Sequence, residues 1–301
     1  MNTHEPPPLT VWAQGGYELA EGSRWLGDRL IFADILSGRL LETSALMPTT
    51  AKVIAHVDVP LGAAAAVAGN DDQWIVAAGT GVAILDRAGS LHWIDRPEDN
   101  STVPMRMNDG VCDPHGRFWV GSMAYDSTPG AGSLYRVDHD GTTTRVLDGM
   151  TVVNGPAFSA DSRRMYVADT AAGRIYRCAI DPSNGDVLDR EVFVQVPSTR
   201  GSPDGMTVDT QGRLWVAMWG GSAIHCYTPD GSLTETIRVP APQPTSVCIA
   251  DTDGGSRLFV TTARYGLADA AVESGAVLSR RIAAHAPMAA SFQTRLRTTL
   301  A

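Results

Sequence analysis

Four residues with oxygen-bearing side chains, Glu21, Asn108, Asn154 and Asp204, stand at corresponding places in a repeated sequence pattern. Each precedes, by eight to ten residues, an arginine that introduces an apolar, β-rich run: Arg29, Arg117, Arg164 and Arg213 respectively. Taken singly, Asn108-Asp109-Gly110, Asn154-Gly155 and Pro203-Asp204-Gly205 are turn signals, and Glu21 is an ordinary solvated charge. Turn chemistry does not require acids and amides to recur at one place, so the coincidence points to convergence in space. Two carboxylates brought together would repel and raise each other's pKa unless a cation lay between them. Carboxylate and amide oxygens are hard ligands suited to Ca²⁺, Mg²⁺ or Mn²⁺. None of the seven histidines falls at this place, which leaves a Cys/His zinc cage without support. Three or four protein ligands leave coordination positions for water and substrate, the arrangement that metal-assisted catalysis requires.

The elements that must position these residues are read from the repeat. A phrase of the form D-x-x-G-R-apolar-aromatic-Val occurs at Asp113–Val120 and within Gly201–Gly221, with related copies at Asp161–Val167 and Asp253–Val260. Weaker copies lie at Gly27–Phe32 and Asp72–Val76. Anchored on Arg29, Gln73, Arg117, Arg164, Arg213 and Arg257, the successive intervals are 44, 44, 47, 49 and 44 residues. Six copies of strand and turn at this period predict an all-β, six-bladed β-propeller with four-stranded antiparallel blades around a central channel. The four oxygen-bearing residues then enter the innermost strands of four blades and face one channel. The other two blades offer Ala64 and the segment Thr245–Cys248 there.

An unbroken repeat argues for one closed domain over residues 9–282, with a loose N-terminal tail at 1–8 and a C-terminal tail, mobile or a short external helix, at 283–301. The segment Thr10–Leu19 is strand-like and is assigned to ring closure beside Gly275–Arg281. The Gly-, Ser- and Pro-rich stretch Ala124–Gly132 is expected to overhang the channel mouth. At 44% apolar residues the composition is globular, and a net charge of −9 without a basic block disfavours nucleic acid and anionic membranes as partners. A small molecule fits better, with the protein a monomer or a weak homo-oligomer. The four isolated cysteines read as reduced thiols, and the polar, proline-rich start reads as no signal peptide. No apolar stretch is long enough to span a membrane, so the expected location is cytoplasmic.

These motifs resemble the gluconolactonase, regucalcin (senescence marker protein) and luciferin-regenerating enzyme family. The resemblance rests on Glu21-Gly22-Ser23-Arg24-Trp25, Arg106-Met107-Asn108-Asp109-Gly110, Asn154-Gly155 and Ser202-Pro203-Asp204-Gly205, in that order. It covers roughly Leu9 to Arg281. It implies a metal-dependent lactonase that opens a sugar-derived, aldono-type lactone. Glu21, Asn154 and Asp204 would hold one divalent cation, Ca²⁺ first, with Mg²⁺, Mn²⁺, Zn²⁺ or Fe²⁺ as alternatives. Asp204 would also be the general base, and Arg106 and Asn108 would contact the lactone. The chain departs from the animal members at Tyr125, where they carry a substrate-binding glutamate, so Tyr125 is assigned to substrate binding with altered preference. An organophosphate or aryl-ester hydrolase, and a non-catalytic calcium-binding protein, are the alternatives on the same scaffold.

Overall fold

Strands that bury both faces need apolar side chains on both, and the second strand of each repeat is of that kind. Leu214–Trp219 has every residue but the last buried, while the outer strands Val187–Gln195 and Leu233–Arg238 are largely exposed. In the computed structural model, which describes residues 7–44 and 49–295, these runs assemble into six four-stranded antiparallel sheets. Of the tails expected at 1–8 and 283–301, residues 1–6 and 296–301 lie outside the described residues. The sheets are the blades of a six-bladed β-propeller. Five are meanders in chain order from the channel outward. The sixth takes Pro244–Thr252, Gly255–Thr262 and Ala276–Arg281, then adds Thr10–Gln14 at its outer edge, with Thr10 opposite Ser279. That edge closes the ring with the N-terminal segment assigned to it.

The core lies between blades. Ile31, Ala33 and Leu40 of the first blade pack against Ala64, Trp74 and Val76 of the second. Phe259 and Val277 of the sixth meet Trp25 and Phe32 of the first. All four cysteines are free and buried, and burial pushes the Cys226 and Cys248 thiols up to about 11. Among the described residues the only helix is a single 3₁₀ turn at Ser198–Arg200, and no helix is long and apolar enough to cross a membrane. The outer strand of the first blade, Lys52–His56, carries no repeat phrase and was not legible as a strand.

Each inner strand bearing a candidate site residue contains a β-bulge at that residue. Glu21 pairs with Ala33 but Arg24 with Ile31; Met107 pairs with Ser122 but Gly110 with Val120. Asn154 pairs with Ala168 but Ala157 with Tyr166; Pro203 pairs with Met218 but Met206 with Val216. One extra residue on the inner strand bends it and re-aims the side chain there. The four residues therefore occupy two registers rather than one. Glu21 and Asn154 hold the last paired position, and Asn108 and Asp204 follow it. Gly22 and Gly155, next in chain to two of them, have φ of 63° and 79°, a region that strains any other residue.

After the last strand, residues 283–295 are neither loose nor helical. They run extended across the lower end of the ring, where His285 O accepts from Thr210 N at 2.7 Å. Phe292 is fully buried, and its main chain bonds Ala66 O at 2.8 Å and Ala68 N at 2.9 Å. A tail containing a large apolar side chain and unpaired backbone gains by docking both. Its residues Pro287–Ala290 floor a cavity of about 180 Å³ at the lower end of the channel, opposite the site residues.

The repeat phrase itself is a turn clamp. Asp113 Oδ1 accepts from the main-chain N–H of His115 and Arg117 at 2.9 and 3.0 Å. Its Oδ2 accepts from Arg117 Nε at 2.6 Å and Trp119 Nε1 at 3.0 Å. Asp209 makes the equivalent four bonds with Gln211, Arg213 and Trp215. These aspartates therefore belong to the lower turns rather than to the channel chemistry. Asp113→Ala strands a buried arginine and is expected to cost about 3–5 kcal/mol. Asp161→Ala, in an exposed copy with only Ser159 and Arg163 as partners, should cost about 1 kcal/mol or less. Denaturant unfolding of both variants checks the ranking, and equal losses would refute the clamp.

Candidate functional site

At the upper end the bulged inner strands bring Glu21, Arg106, Asn108, Asn154 and Asp204 around one pocket of about 320 Å³. Leu19, Ile35, Met123 and Trp219 supply its apolar wall. All five polar residues are buried, Glu21 to 3% exposure and Asp204 to 6%. The loop after Phe118–Ala124 contributes Ser127 to the lining. Tyr125 stands beside it, 53% exposed, with its main-chain N–H on Pro104 O at 3.1 Å, and lies outside the lining. Its phenol lies near Arg106. Tyr265, from the loop before the last strand, lines the mouth and was not picked out from the sequence.

The electrostatics are those of crowded carboxylates. Glu21 is held well above the usual carboxylate range, first by burial and then by Asp109 and Asp204. Asp204 is raised for the same reasons, burial first and Asp109 next, and lies within hydrogen-bonding reach of Glu21. Glu21 Oε2 accepts from Gly22 N, while Oε1 is buried with no protein partner. Among the described residues neither Glu21 nor Asp204 forms an ion pair. Burial raises Asp109 as well, but unlike the other two it has a cation beside it. Arg24 Nη2 lies 3.3 Å from its Oδ1, and the amides of Gly110 and Gly155 donate to it at 2.7 and 3.2 Å.

Asp109 was seen in the sequence only as part of a turn signal. Its neighbour Asn108 was the candidate, and alternation along a bulged strand hides which of two adjacent polar residues faces the channel. The structure uses both. Asn108 faces the pocket, and the 1%-exposed Asp109 lies beneath the Glu21–Asp204 pair. Arg24, its partner, lines the lower cavity, so the pair separates the two ends of the channel.

The donor set fits a divalent cation. Two buried carboxylates lie within reach of each other without an ion-pair partner, one with an orphaned oxygen, and Asn154, which can offer an amide oxygen, lines the same pocket. Among the described residues no three His, Cys, Asp or Glu side chains are arranged to hold a metal, so the amide is needed to complete this set. Arg106 Nη1 donates to Asn108 Oδ1 at 2.7 Å and to Met107 O at 3.0 Å. Among the described residues its other guanidinium nitrogens have no protein partner.

A pentonolactonase of Haloferax volcanii is 40% identical over 256 residues, 81% of each chain. An L-arabinolactonase of Azospirillum brasilense is 35% identical over 284 residues, 89% of each chain. The solved structure of a calcium-binding protein, regucalcin, from Agrobacterium tumefaciens superposes with a TM-score of 0.87 at 27% identity, covering 95% of this chain and 97% of that one. A family model described as the SMP-30/Gluconolactonase/LRE-like region matches residues 19–264, which include every candidate site residue, and the chain belongs to that family.

Proposed function

We propose that the protein is a lactonase that hydrolyses a sugar-derived lactone to the open hydroxy acid and depends on a divalent cation, Ca²⁺ as first choice, held by Glu21, Asn154 and Asp204. The observation that carries this reading is the Glu21–Asp204 pair, buried without an ion-pair partner at the base of the pocket. The names of the pentonolactonase and L-arabinolactonase relatives support the substrate class. When bound, the cation supplies Lewis-acid polarisation of the lactone carbonyl and positive charge for the developing oxyanion.

The chain's own residues do the rest. Arg106 and Asn108 orient the lactone's oxygens from the pocket wall. Asp204 takes a proton from the water whose oxygen bonds to the carbonyl carbon. The ring C–O bond then breaks, and Asp204 returns the proton to the departing ring oxygen, which becomes a hydroxyl. The apolar wall, Trp219 included, limits water around the reacting ester.

Assays on δ-gluconolactone, a pentonolactone, phenyl acetate and an organophosphate ester, with and without chelator, test the proposal. Lactone turnover that chelator abolishes and metal restores is the expected result. A preference for phenyl acetate or the organophosphate would favour the ester-hydrolase alternative, and metal uptake without turnover would favour a binding protein.

Asp204→Ala is expected to lower kcat by about a hundredfold or more. It should not lower the melting temperature of the metal-free protein, because it relieves repulsion between buried like charges. Near-normal turnover of the metal-loaded variant would remove Asp204 from the chemistry.

The raised carboxyls also set a pH dependence. Groups that hold protons to higher pH than usual must surrender them to a cation, so metal uptake releases protons and its apparent affinity rises with pH. Calorimetric titrations at about pH 5 and about pH 8, in buffers of different ionisation enthalpy, measure both effects. An affinity independent of pH would contradict the ligand assignment.

Tyr125 is proposed to reach the substrate from the mouth. Tyr125→Phe should then raise KM for sugar lactones and leave phenyl acetate unaffected. Identical kinetics for Tyr125→Phe, Tyr125→Ala and the parent on every lactone would make it a plain surface residue.

A further inference from the structure

The amides of the pocket belong to a chain of hydrogen bonds whose direction is set at both ends. It starts at Arg106, whose guanidinium can only donate. Asn108 must therefore turn its oxygen to Arg106 Nη1, at 2.7 Å. Its nitrogen then faces inward, donating to Asn154 Oδ1 at 2.7 Å and to Val153 O at 2.9 Å. Asn154 Nδ2 in turn donates to Thr170 Oγ1 at 2.8 Å. The Thr170 hydroxyl donates to the Pro203 carbonyl at 2.7 Å, which can only accept. Reversing either amide would set two donors against each other, a cost no neighbour offsets.

Thr170 opens the turn after Arg164–Asp169, and its own N–H is fixed on Val152 O at 2.9 Å. Its hydroxyl is thus the link between two blades: it holds Asn154 on one inner strand and the residue before Asp204 on the next. An amide ligates a hard cation only through oxygen, so the amide's rotation decides whether Asn154 is a ligand at all. One Asn154 Oδ1 lone pair is taken by Asn108, and the other remains for the pocket.

We propose that Thr170 is a positioning residue of the cation site, holding the Asn154 amide oxygen toward Glu21 and Asp204 and fixing the separation of the Asn154 and Asp204 strands. The proposal rests on the cation reading given above. Loss of a group that orients a ligand weakens metal binding by about tenfold or more. Thr170→Val keeps the shape and removes the hydroxyl, whereas Thr170→Ser keeps the hydroxyl.

Ca²⁺ and Mn²⁺ alone, titrated into chelator-stripped protein by calorimetry, give the readout without any assay of turnover. The expected result is Thr170→Val weakened by about tenfold or more and Thr170→Ser near the parent, with the melting temperatures of the metal-free proteins alike. Should Thr170→Val not fold, Thr170→Ala against Thr170→Ser makes the same comparison. Parent-like affinity in Thr170→Val, or in Thr170→Ala, overturns the role of Thr170 while leaving the cation site intact. A parent protein that takes up neither metal overturns the cation reading and this inference with it.

Discussion

The Glu21–Asp204 pair is the constraint around which the upper channel is arranged. Two carboxylates within reach of each other and away from water are unfavourable unless they hold protons or a cation. The surrounding protein does not neutralise them. The nearby cations are committed elsewhere, Arg24 to Asp109 and Arg106 to Asn108 and Met107. The fold thus concentrates negative charge at one point, with Arg24 and Arg106 nearby but neither ion-paired to it. Such an arrangement suits the divalent cation proposed for it.

Holding that pair requires rigid walls, and the propeller provides them through interblade packing. Each blade buries apolar faces against both neighbours, so the inner strands cannot move apart without opening those cores. Within this frame the bulges do local work. A regular strand would alternate its side chains between the two blade faces, whereas a bulged one can direct a chosen residue along the channel. Four bulges in four blades, in two registers, place acids and amides from distant parts of the chain in one pocket.

The two ends of the channel are chemically different. The upper end carries the carboxylates, the amides and Arg106. The lower end is bounded by Arg24, Cys112, Met206, Cys248 and the crossing segment Pro287–Ala290. Phe292 anchors that segment in the core between the second and third blades, and the aspartate clamps at Asp113 and Asp209 stiffen turns on the same side. Chemistry at one end and reinforcement at the other follow from inner strands that all run in the same direction.

The repeat by itself determined the fold, because strand and turn signals depend on neighbours within a few residues and recur at a regular period. It also brought out Glu21, Asn108, Asn154 and Asp204, since equivalent places in a cyclic repeat must converge. The N-terminal closure was legible for the same reason. What the repeat could not show was contact between blades. Asp109 beneath the acids, Thr170 beside Asn154 and Tyr265 at the mouth carry no local signal of their position. The extended path of residues 283–295 is likewise set by a groove that exists only after the ring has closed. Local periodicity decides which residues form strands; only the bulges and the packing of one blade on the next decide which side chains meet.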